Sequence, residues 1–148
     1  TLLVELTRSM RTWADRVCFV NGHGGNHAAL VAAIEQLRAE GHRVSWVACA
    51  TEEVDLHAGR TETSLLLHLC PEVVRLDLAE AGNTAPLAEI LPALMSDRLA
   101  EISPNGVLGD PAGASGAEGA AVLATMAEQV ARHVARETDR ETDRESVG

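Results

Sequence analysis

The feature that most constrains the fold is an alternation of short apolar runs with helical periodicity in the first third of the chain. Residues 17–20 form a continuous β-favouring run that stops at Asn21-Gly22, and residues 44–49 form a second one. Between them lies a helical pattern that ends before Gly41, with apolar positions at Leu30, Ala33, Ile34 and Leu37. This order predicts an α/β fold in which helices cover both faces of a parallel sheet.

Further elements follow from periodicity and turn signals. Apolar residues at three- and four-residue steps predict an N-terminal helix with one apolar face: Leu3, Leu6, Met10 and Trp13. Residues 62–69 and 87–95 also predict helices, and the first of them should end before Pro71. Residues 73–78 alternate apolar and charged side chains, which indicates an edge strand. Residues 105–116 are rich in glycine, which predicts a loop.

The last helix begins at a capping-box pattern. Ser115 and Glu118 have the spacing at which a hydroxyl and a carboxylate each accept an unpaired amide N–H at a helix start. Apolar residues then recur at helical steps: Val122, Met126, Val130 and Val134. Residues 137–148 repeat Glu-Thr-Asp-Arg and have almost nothing apolar to bury, which indicates a frayed helix or disorder. We therefore predict one domain over residues 1–136 and a charged tail over residues 137–148.

Composition argues against several classes of function. The chain has 148 residues, of which 22 are acidic and 12 basic, and its formal charge is −10. Nucleic acid is not an expected partner, because phosphate contacts need clustered basic residues. No apolar run approaches the roughly 20 residues of a membrane span, so no membrane association is expected. The three cysteines lack CxxC spacing and predict buried thiols in a reducing compartment, which favours a cytoplasmic location.

The string NGHGGN, residues 21–26, is the first candidate site. It follows a predicted strand, and open α/β sheets bind ligands at the carboxyl ends of their strands. His23 would be held there with little freedom, as a metal ligand or an acid–base group must be. The alternative is a tight turn whose histidine faces solvent. A phosphate-binding loop is a further alternative, although neither a GxGxxG nor a Walker pattern is present.

The string HAGRTETS, residues 57–64, is the second candidate site. It follows the second predicted strand, so it should lie at the same end of the sheet as His23. An imidazole and a carboxylate from two strand ends offer nitrogen and oxygen ligands for Zn, Mn or Fe, with His57 as a proton shuttle. Alternatively, Glu62 is an ordinary acidic residue in the first turn of a helix.

Together with GVLGDP, residues 106–111, these two motifs resemble the creatininase, or creatinine amidohydrolase, family over residues 1–136. The resemblance implies a three-layer α/β/α fold with a mainly parallel sheet. It also implies a hydrolytic centre with two divalent metal ions (Fe, Zn or Mn) and a homo-oligomer, often a hexamer. By position, His23 and Glu62 match metal-binding residues of the family. His57 matches a histidine beside the substrate that is implied to transfer protons.

Two departures refine this expectation. In creatininase proper the second residue after the NGH histidine is a metal-binding glutamate, but here it is Gly25, which speaks against creatinine as substrate. Nothing in residues 1–20 matches the Glu-x-His segment that completes the family's metal centre, and the chain begins at Thr1 inside a predicted helix. We therefore expect the N-terminal part of the domain to be missing, and the chain by itself to bind metal poorly and to be inactive.

Residues 81–95 and 103–111 most resemble one peptidase branch of the family. That branch is implied to release a Val-Tyr-derived dipeptide from the C-terminus of a radical-modified precursor peptide. Two alternatives stay open: another amidohydrolase of the family that acts on a small cyclic amide or formamide, and a non-catalytic α/β module that has lost the metal site.

Overall fold

The computed structural model describes residues 2–50, 55, 57–94, 96 and 98–145, with side chains up to residue 138. These residues form two compact units. The first unit is Thr1–Ala50 with Met126–Gly148, and the second unit is Thr51–Thr125. Across the described ranges, no helix combines the length and the apolar character that crossing a bilayer requires.

The first unit is built on two parallel strands. Its elements in chain order are α1 (Leu2–Met10), β1 (Arg16–Asn21), α2 (His27–Ala39) and β2 (Arg43–Ala48). The strands pair in register, with Val17 opposite Val44. Parallel strands need a crossover connection, and α2 supplies it. The predicted order of strand, loop, helix and strand is therefore confirmed.

The apolar stripe of α2 forms the core of the first unit. All four positions predicted from the helical spacing are buried: Leu30, Ala33, Ile34 and Leu37. Three of them pack with Val4 of α1 and Val44 of β2. Burial of one such side chain contributes about 1.5–3 kcal/mol for a residue of leucine size. Gly41 then adopts a left-handed φ of +81°, which lets the chain turn from α2 into β2.

The buried face of α1 differs from the predicted one. The helix ends at Met10 and buries Val4 and Thr7, whereas Leu6 is exposed and Trp13 is 74% exposed. Thr7 tolerates burial because its hydroxyl donates a hydrogen bond to the backbone oxygen of Leu3 at 3.0 Å. The spacing of apolar residues predicted that Leu6 and Trp13 face the core, but the polar Thr7 is buried instead.

β1 and the cysteines are less buried than the sequence predicts. Five of the six residues of β1 are half-buried and Val20 is exposed, so the expected cover on both faces is incomplete. The cysteines are free thiols and half-buried rather than buried: Cys18, Cys49 and Cys70. The Sγ of Cys49 lies 3.8 Å from the Sδ of Met126, a residue of the last helix.

The second unit is mainly helical. Its helices include α3 (Arg60–Leu69), α4 (Leu87–Leu94) and the short α5 (Leu99–Ile102), of which the first two are confirmed predictions. The edge strand predicted over residues 73–78 is wrong, since this segment holds parts of two 3₁₀ turns, Pro71–Val73 and Leu76–Leu78. The described residues offer it no partner strand, and an alternating pattern makes a strand only beside one.

The last helix, α6 (Gly116–Glu145), begins with half of the predicted capping box. The N–H of Glu118 donates to the hydroxyl of Ser115 at 3.2 Å. The Glu118 carboxylate, however, accepts from Arg60 at 2.9 Å, and the N–H of Ser115 donates to the hydroxyl of Ser64. The helix runs without a break past residue 136, and residues 146–148 lie outside the described residues. The domain boundary at residue 136 stays a prediction.

α3 and the start of α6 approach each other very closely. Ser64 of α3 is fully buried, and a Cβ added at Gly119 of α6 would overlap its backbone carbonyl. One turn earlier, a Cβ at Gly116 would lie 3.2 Å from the backbone oxygen of Leu67. Only a glycine at position 119 permits the two helices to lie this close. Glu62 belongs to α3, so this helix contact also positions the backbone of Glu62.

Candidate metal and active site

The NGHGGN loop follows β1 and is held by hydrogen bonds between its own residues. The side-chain amide of Asn21 donates to the backbone oxygen of His23 at 3.0 Å and accepts from the side chain of Asn26 at 3.2 Å. The Nδ1 of His23 accepts the N–H of Gly25 at 3.0 Å and so caps the 3₁₀ turn Gly24–Asn26. His23 is exposed. Its position at a strand end is therefore confirmed, with its ring held by the loop itself.

This capping contact decides which nitrogen of His23 is available. Because Nδ1 accepts a hydrogen bond, a neutral ring carries its proton on Nε2. A cation would compete with the N–H of Gly25 for the Nδ1 lone pair, or would need the other tautomer to bind Nε2. A Cβ at Gly25 would lie 2.9 Å from the ring, so glycine permits this rotamer. A glutamate there would displace it.

His57 is anchored by backbone pairing at the start of the second motif. Its N–H donates to the oxygen of Leu108 at 3.2 Å, and its oxygen accepts the N–H of Leu108 at 2.8 Å. Leu108 is buried in the glycine-rich loop that the sequence predicts over residues 105–116. The bridge therefore fixes the backbone of His57 while its side chain remains 47% exposed.

Glu62 meets His57 across the first turn of α3. Its Oε2 accepts the N–H of Ala58 at 2.6 Å and lies 3.5 Å from the Nδ1 of His57. Ala58 adopts a left-handed φ of +53°, which is uncommon for a residue with a Cβ. The Glu62 side chain is 51% exposed. A carboxylate and an imidazole thus lie together in the second unit, each about half exposed.

Asp55 is the residue of this site that the motif analysis missed. Its carboxylate accepts the N–H groups of Arg60 and Thr61, the latter at 3.0 Å, and so caps α3. A side chain at Gly59 or Gly109 would overlap this carboxylate, which explains both glycines. Asp55 lies five residues before the first residue of α3, outside the usual N-cap position. Capping motifs in the sequence therefore do not identify it as the residue that caps this helix.

Arg60 does not neutralise the neighbouring Glu62. Its guanidinium pairs with the carboxylate of Glu118 at 2.8 Å, and that hydrogen bond is the main cause that raises the pKa of Arg60. Among the described residues, the Glu62 carboxylate contacts the N–H of Ala58 and the ring of His57 instead.

The donor set is incomplete within the described residues. No group of three His, Cys, Asp or Glu side chains among them lies close enough to hold a metal ion. His57 and Glu62 come together in the second unit, while His23 belongs to the first unit. Convergence of His23 with Glu62, and with it the metal site itself, stays a prediction.

Three curated relatives are 50–55% identical to this chain over most of its length. A Mycofactocin precursor peptide peptidase from Mycobacterium ulcerans (strain Agy99) is 55% identical over 127 residues, which cover 86% of this chain and 51% of the relative. One of the same name from Mycolicibacterium smegmatis is 51% identical over 125 residues, covering 84% and 51%. One from Mycobacterium tuberculosis (strain H37Rv) is 50% identical over 127 residues, covering 86% and 51%. The chain thus spans about half the length of these relatives.

Two solved structures share the fold. A protein assigned as a creatinine amidohydrolase from Bacteroides fragilis NCTC 9343 aligns with a TM-score of 0.70 at 24% identity, over 88% of this chain and 57% of that one. A creatinine amidohydrolase (creatininase) aligns with a TM-score of 0.69 at 23% identity, over 92% and 61%. The predicted α/β fold class is confirmed. Since the family model of creatinine amidohydrolase matches residues 1–134, the chain belongs to the creatininase family.

Proposed function

We propose that this chain is the part of a metal-dependent hydrolase that carries its NGH and HAGRTETS motifs, and that the enzyme cleaves a mycofactocin precursor peptide. The observation that carries the proposal is 50–55% identity to three relatives named Mycofactocin precursor peptide peptidase. The substrate is the modified precursor peptide, and the product is a dipeptide from its C-terminus. In this proposal the enzyme is cytoplasmic. It also forms a homo-oligomer, and the family resemblance favours a hexamer.

We propose His23 and Glu62 as metal ligands. Their donors are an imidazole nitrogen and a carboxylate oxygen, which suit Fe, Zn or Mn, and the complete centre takes two ions. Both side chains are accessible, and within the described residues the second oxygen of Glu62 has no hydrogen-bond donor. A metal ion that binds the Nδ1 of His23 would have to displace the hydrogen bond from the N–H of Gly25.

Two ligands are fewer than the four or more that such ions take. The remaining ligands, in this proposal, come from the half of the relatives' length that this chain does not span. Because metal binding is coupled to a folded, complete site, the chain by itself then binds metal weakly and does not hydrolyse the peptide.

His57 is proposed to move the proton in peptide hydrolysis. A metal ion bound at the complete centre would supply acidified water and polarise the scissile carbonyl. His57 lies 3.5 Å from Glu62, and its backbone is fixed by the bridge to Leu108. From there its ring accepts a proton from the attacking water and delivers it to the leaving amine. Glu62 accepts the N–H of Ala58 with one oxygen, and its half-exposed carboxylate would offer the other oxygen to a cation.

The test joins this chain to the unmatched half of the Mycobacterium ulcerans relative and compares the hybrid with the chain alone. Metal content is measured by mass spectrometry after loading with Fe²⁺, Zn²⁺ or Mn²⁺, and dipeptide release is measured on the modified peptide. We expect the hybrid to bind metal and release the dipeptide, whereas the chain alone does neither. Both His23→Ala and Glu62→Gln lose metal. His57→Ala keeps it but slows turnover about 10²–10⁴-fold.

His68→Ala is the matched control, since His68 is an exposed histidine on the same helix as Glu62. It should retain metal and turnover. Full metal occupancy and normal turnover in His23→Ala and Glu62→Gln would contradict the site. Dipeptide release by the chain alone at the hybrid's rate would contradict the shared centre.

A further inference from the structure

The helix α3 buries small polar residues and exposes leucines. Thr61 and Ser64 are buried. Leu66 and Leu69, in contrast, are 45% and 60% exposed. An ordinary surface helix has the opposite arrangement, with apolar side chains toward the core and polar ones toward water. An inverted arrangement of this kind is typical of a helix whose second side packs against another polypeptide.

The second half of α3 is apolar on nearly every side. Residues 65–69 are Leu-Leu-Leu-His-Leu, and a helix that is apolar all round is usually covered all round. The start of α6 covers the side of α3 that contains Ser64, where Gly119 permits the close approach. Leu66 and Leu69 lie about 140–160° around the helix from Ser64, since successive residues are about 100° apart. The exposed leucines are therefore on the side opposite α6.

The exposed leucines continue the side of α3 on which Glu62 lies. Leu66 and Leu69 follow Glu62 by four and seven residues, which places them about 6 and 10 Å further along the same side of the helix. Val73, in the turn directly after α3, is also 61% exposed. Glu62, Leu66 and Leu69 thus form one surface, here called the α3 face. It is acidic at the candidate metal ligand and apolar beyond it.

The proposed metal centre determines what must approach the α3 face. In that proposal, the remaining ligands come from the half of the relatives' length that this chain does not span. Ligand atoms lie about 2 Å from such an ion, so that polypeptide has to bring its own side chains close to the carboxylate of Glu62. Leu66 is one helical turn from Glu62 on the same side. A polypeptide that reaches Glu62 therefore also reaches Leu66.

We propose that the α3 face is the surface on which the unmatched half of the enzyme packs, with Leu66 and Leu69 buried in the contact. The inference rests on the proposed function, because the need for further ligands at Glu62 selects this occupant over a second copy of the chain. Burial of the two leucines removes apolar surface from water and stabilises the contact without metal. The contact then positions the incoming ligands beside Glu62 before an ion binds.

The experiment compares the accessibility of the α3 face in the chain alone and in the hybrid with the unmatched half of the Mycobacterium ulcerans relative. Leu66→Cys and Leu69→Cys are each labelled with N-ethylmaleimide in EDTA, and labelling at the introduced cysteine is quantified by peptide mass spectrometry. We expect labelling in the hybrid to be about tenfold slower or more, since it then requires local opening of the contact. Leu91→Cys is the matched control. Leu91, on α4, is 43% exposed, and its labelling rate should change less than about twofold.

Thermal unfolding gives a second measurement of the same contact. Leu66→Gln keeps a similar helix propensity, so it should change the melting temperature of the chain alone by less than about 3 °C. In the hybrid, where the side chain is buried, the same substitution should lower the melting temperature by about 6 °C or more.

Equal labelling rates in the hybrid and in the chain alone would overturn the proposal, and so would equal slowing at the Leu91→Cys control. Slow labelling of the chain alone that becomes fast on dilution would assign the α3 face to a second copy and would overturn it as well. Neither measurement uses metal or hydrolysis. A hybrid that protects the α3 face but releases no dipeptide would therefore contradict the proposed function alone, whereas an active hybrid with an unprotected α3 face would contradict this contact alone.

Discussion

The close approach of α3 and α6 makes a strong prediction for Gly119→Ala. The added Cβ would lie 2.9 Å from the amide nitrogen of Leu65 and closer still to the carbonyl of Ser64. Ordinary contacts of carbon need about 3.5 Å, and the oxygen of Ser64 would lie roughly 1.5 Å inside that limit, so the helices would have to separate by about the same distance. Both obstacles are backbone atoms of α3, which no side-chain rotation can move. Overpacking of this kind costs about 3 kcal/mol at the upper end of the usual range.

Helix propensity opposes this cost. Alanine is favoured over glycine in a helix interior by about 1 kcal/mol, which leaves a net loss of about 2 kcal/mol. For a chain of 148 residues, this lowers the melting temperature by about 4–8 °C. Thermal unfolding followed by circular dichroism at 222 nm measures the shift.

Gly116→Ala is the matched control on the same helix. Its Cβ would lie 3.2 Å from the oxygen of Leu67, a contact that a small shift relieves, so we expect a change within about 0.5 kcal/mol. If Gly119→Ala were as stable as the unchanged chain, or if both variants lost stability equally, the close crossing at Ser64 would be refuted.

The remaining predictions concern a surface ion pair and a helix cap. Hydrogen bonds from Arg8 lower the pKa of Glu40 from 4.5 to about 2, so the stability from this pair is present above pH 4.5 and is lost as the pH falls toward 2. The difference in melting temperature between the chain and Glu40→Gln should therefore shrink over that interval, and a constant difference would contradict it. Asp55→Ala removes the acceptor for Arg60 and Thr61 and should cost about 1 kcal/mol in urea unfolding, whereas Asp55→Asn keeps an acceptor and should cost less. An unchanged stability in Asp55→Ala, or equal losses in the two variants, would contradict the role of this acceptor in capping α3.

The candidate site was predictable in its parts rather than as a whole. Sequence spacing placed His57 and Glu62 five residues apart at a helix start, where one turn brings them within 3.5 Å. It could not show that Asp55 supports this turn, because Asp55 contacts α3 from outside the usual capping position. Nor could it show that the Nδ1 of His23 is held by Gly25, since that depends on the rotamer of the ring.

The sequence by itself determined the elements whose signal is local and repeated. The stripe of α2, from Leu30 to Leu37, carries enough apolar residues at helical spacing that its buried face follows from the pattern alone. The turn at Gly41 likewise needs only the one residue type that accepts a left-handed φ readily. In both cases the determining interactions lie within a few residues of each other.

Tertiary structure alone decided the choices between competing partners. Thr7 is buried instead of Trp13 because α1 ends at Met10 and the side that contains Val4 faces the core. Glu118 pairs with Arg60 instead of closing its own capping box, since a charged guanidinium is a stronger donor than a backbone amide. Arg60 is far away in the sequence, and only the fold brings it within reach. Local sequence patterns indicate which interactions a residue can make. The neighbours that the fold brings into contact determine which of those interactions forms.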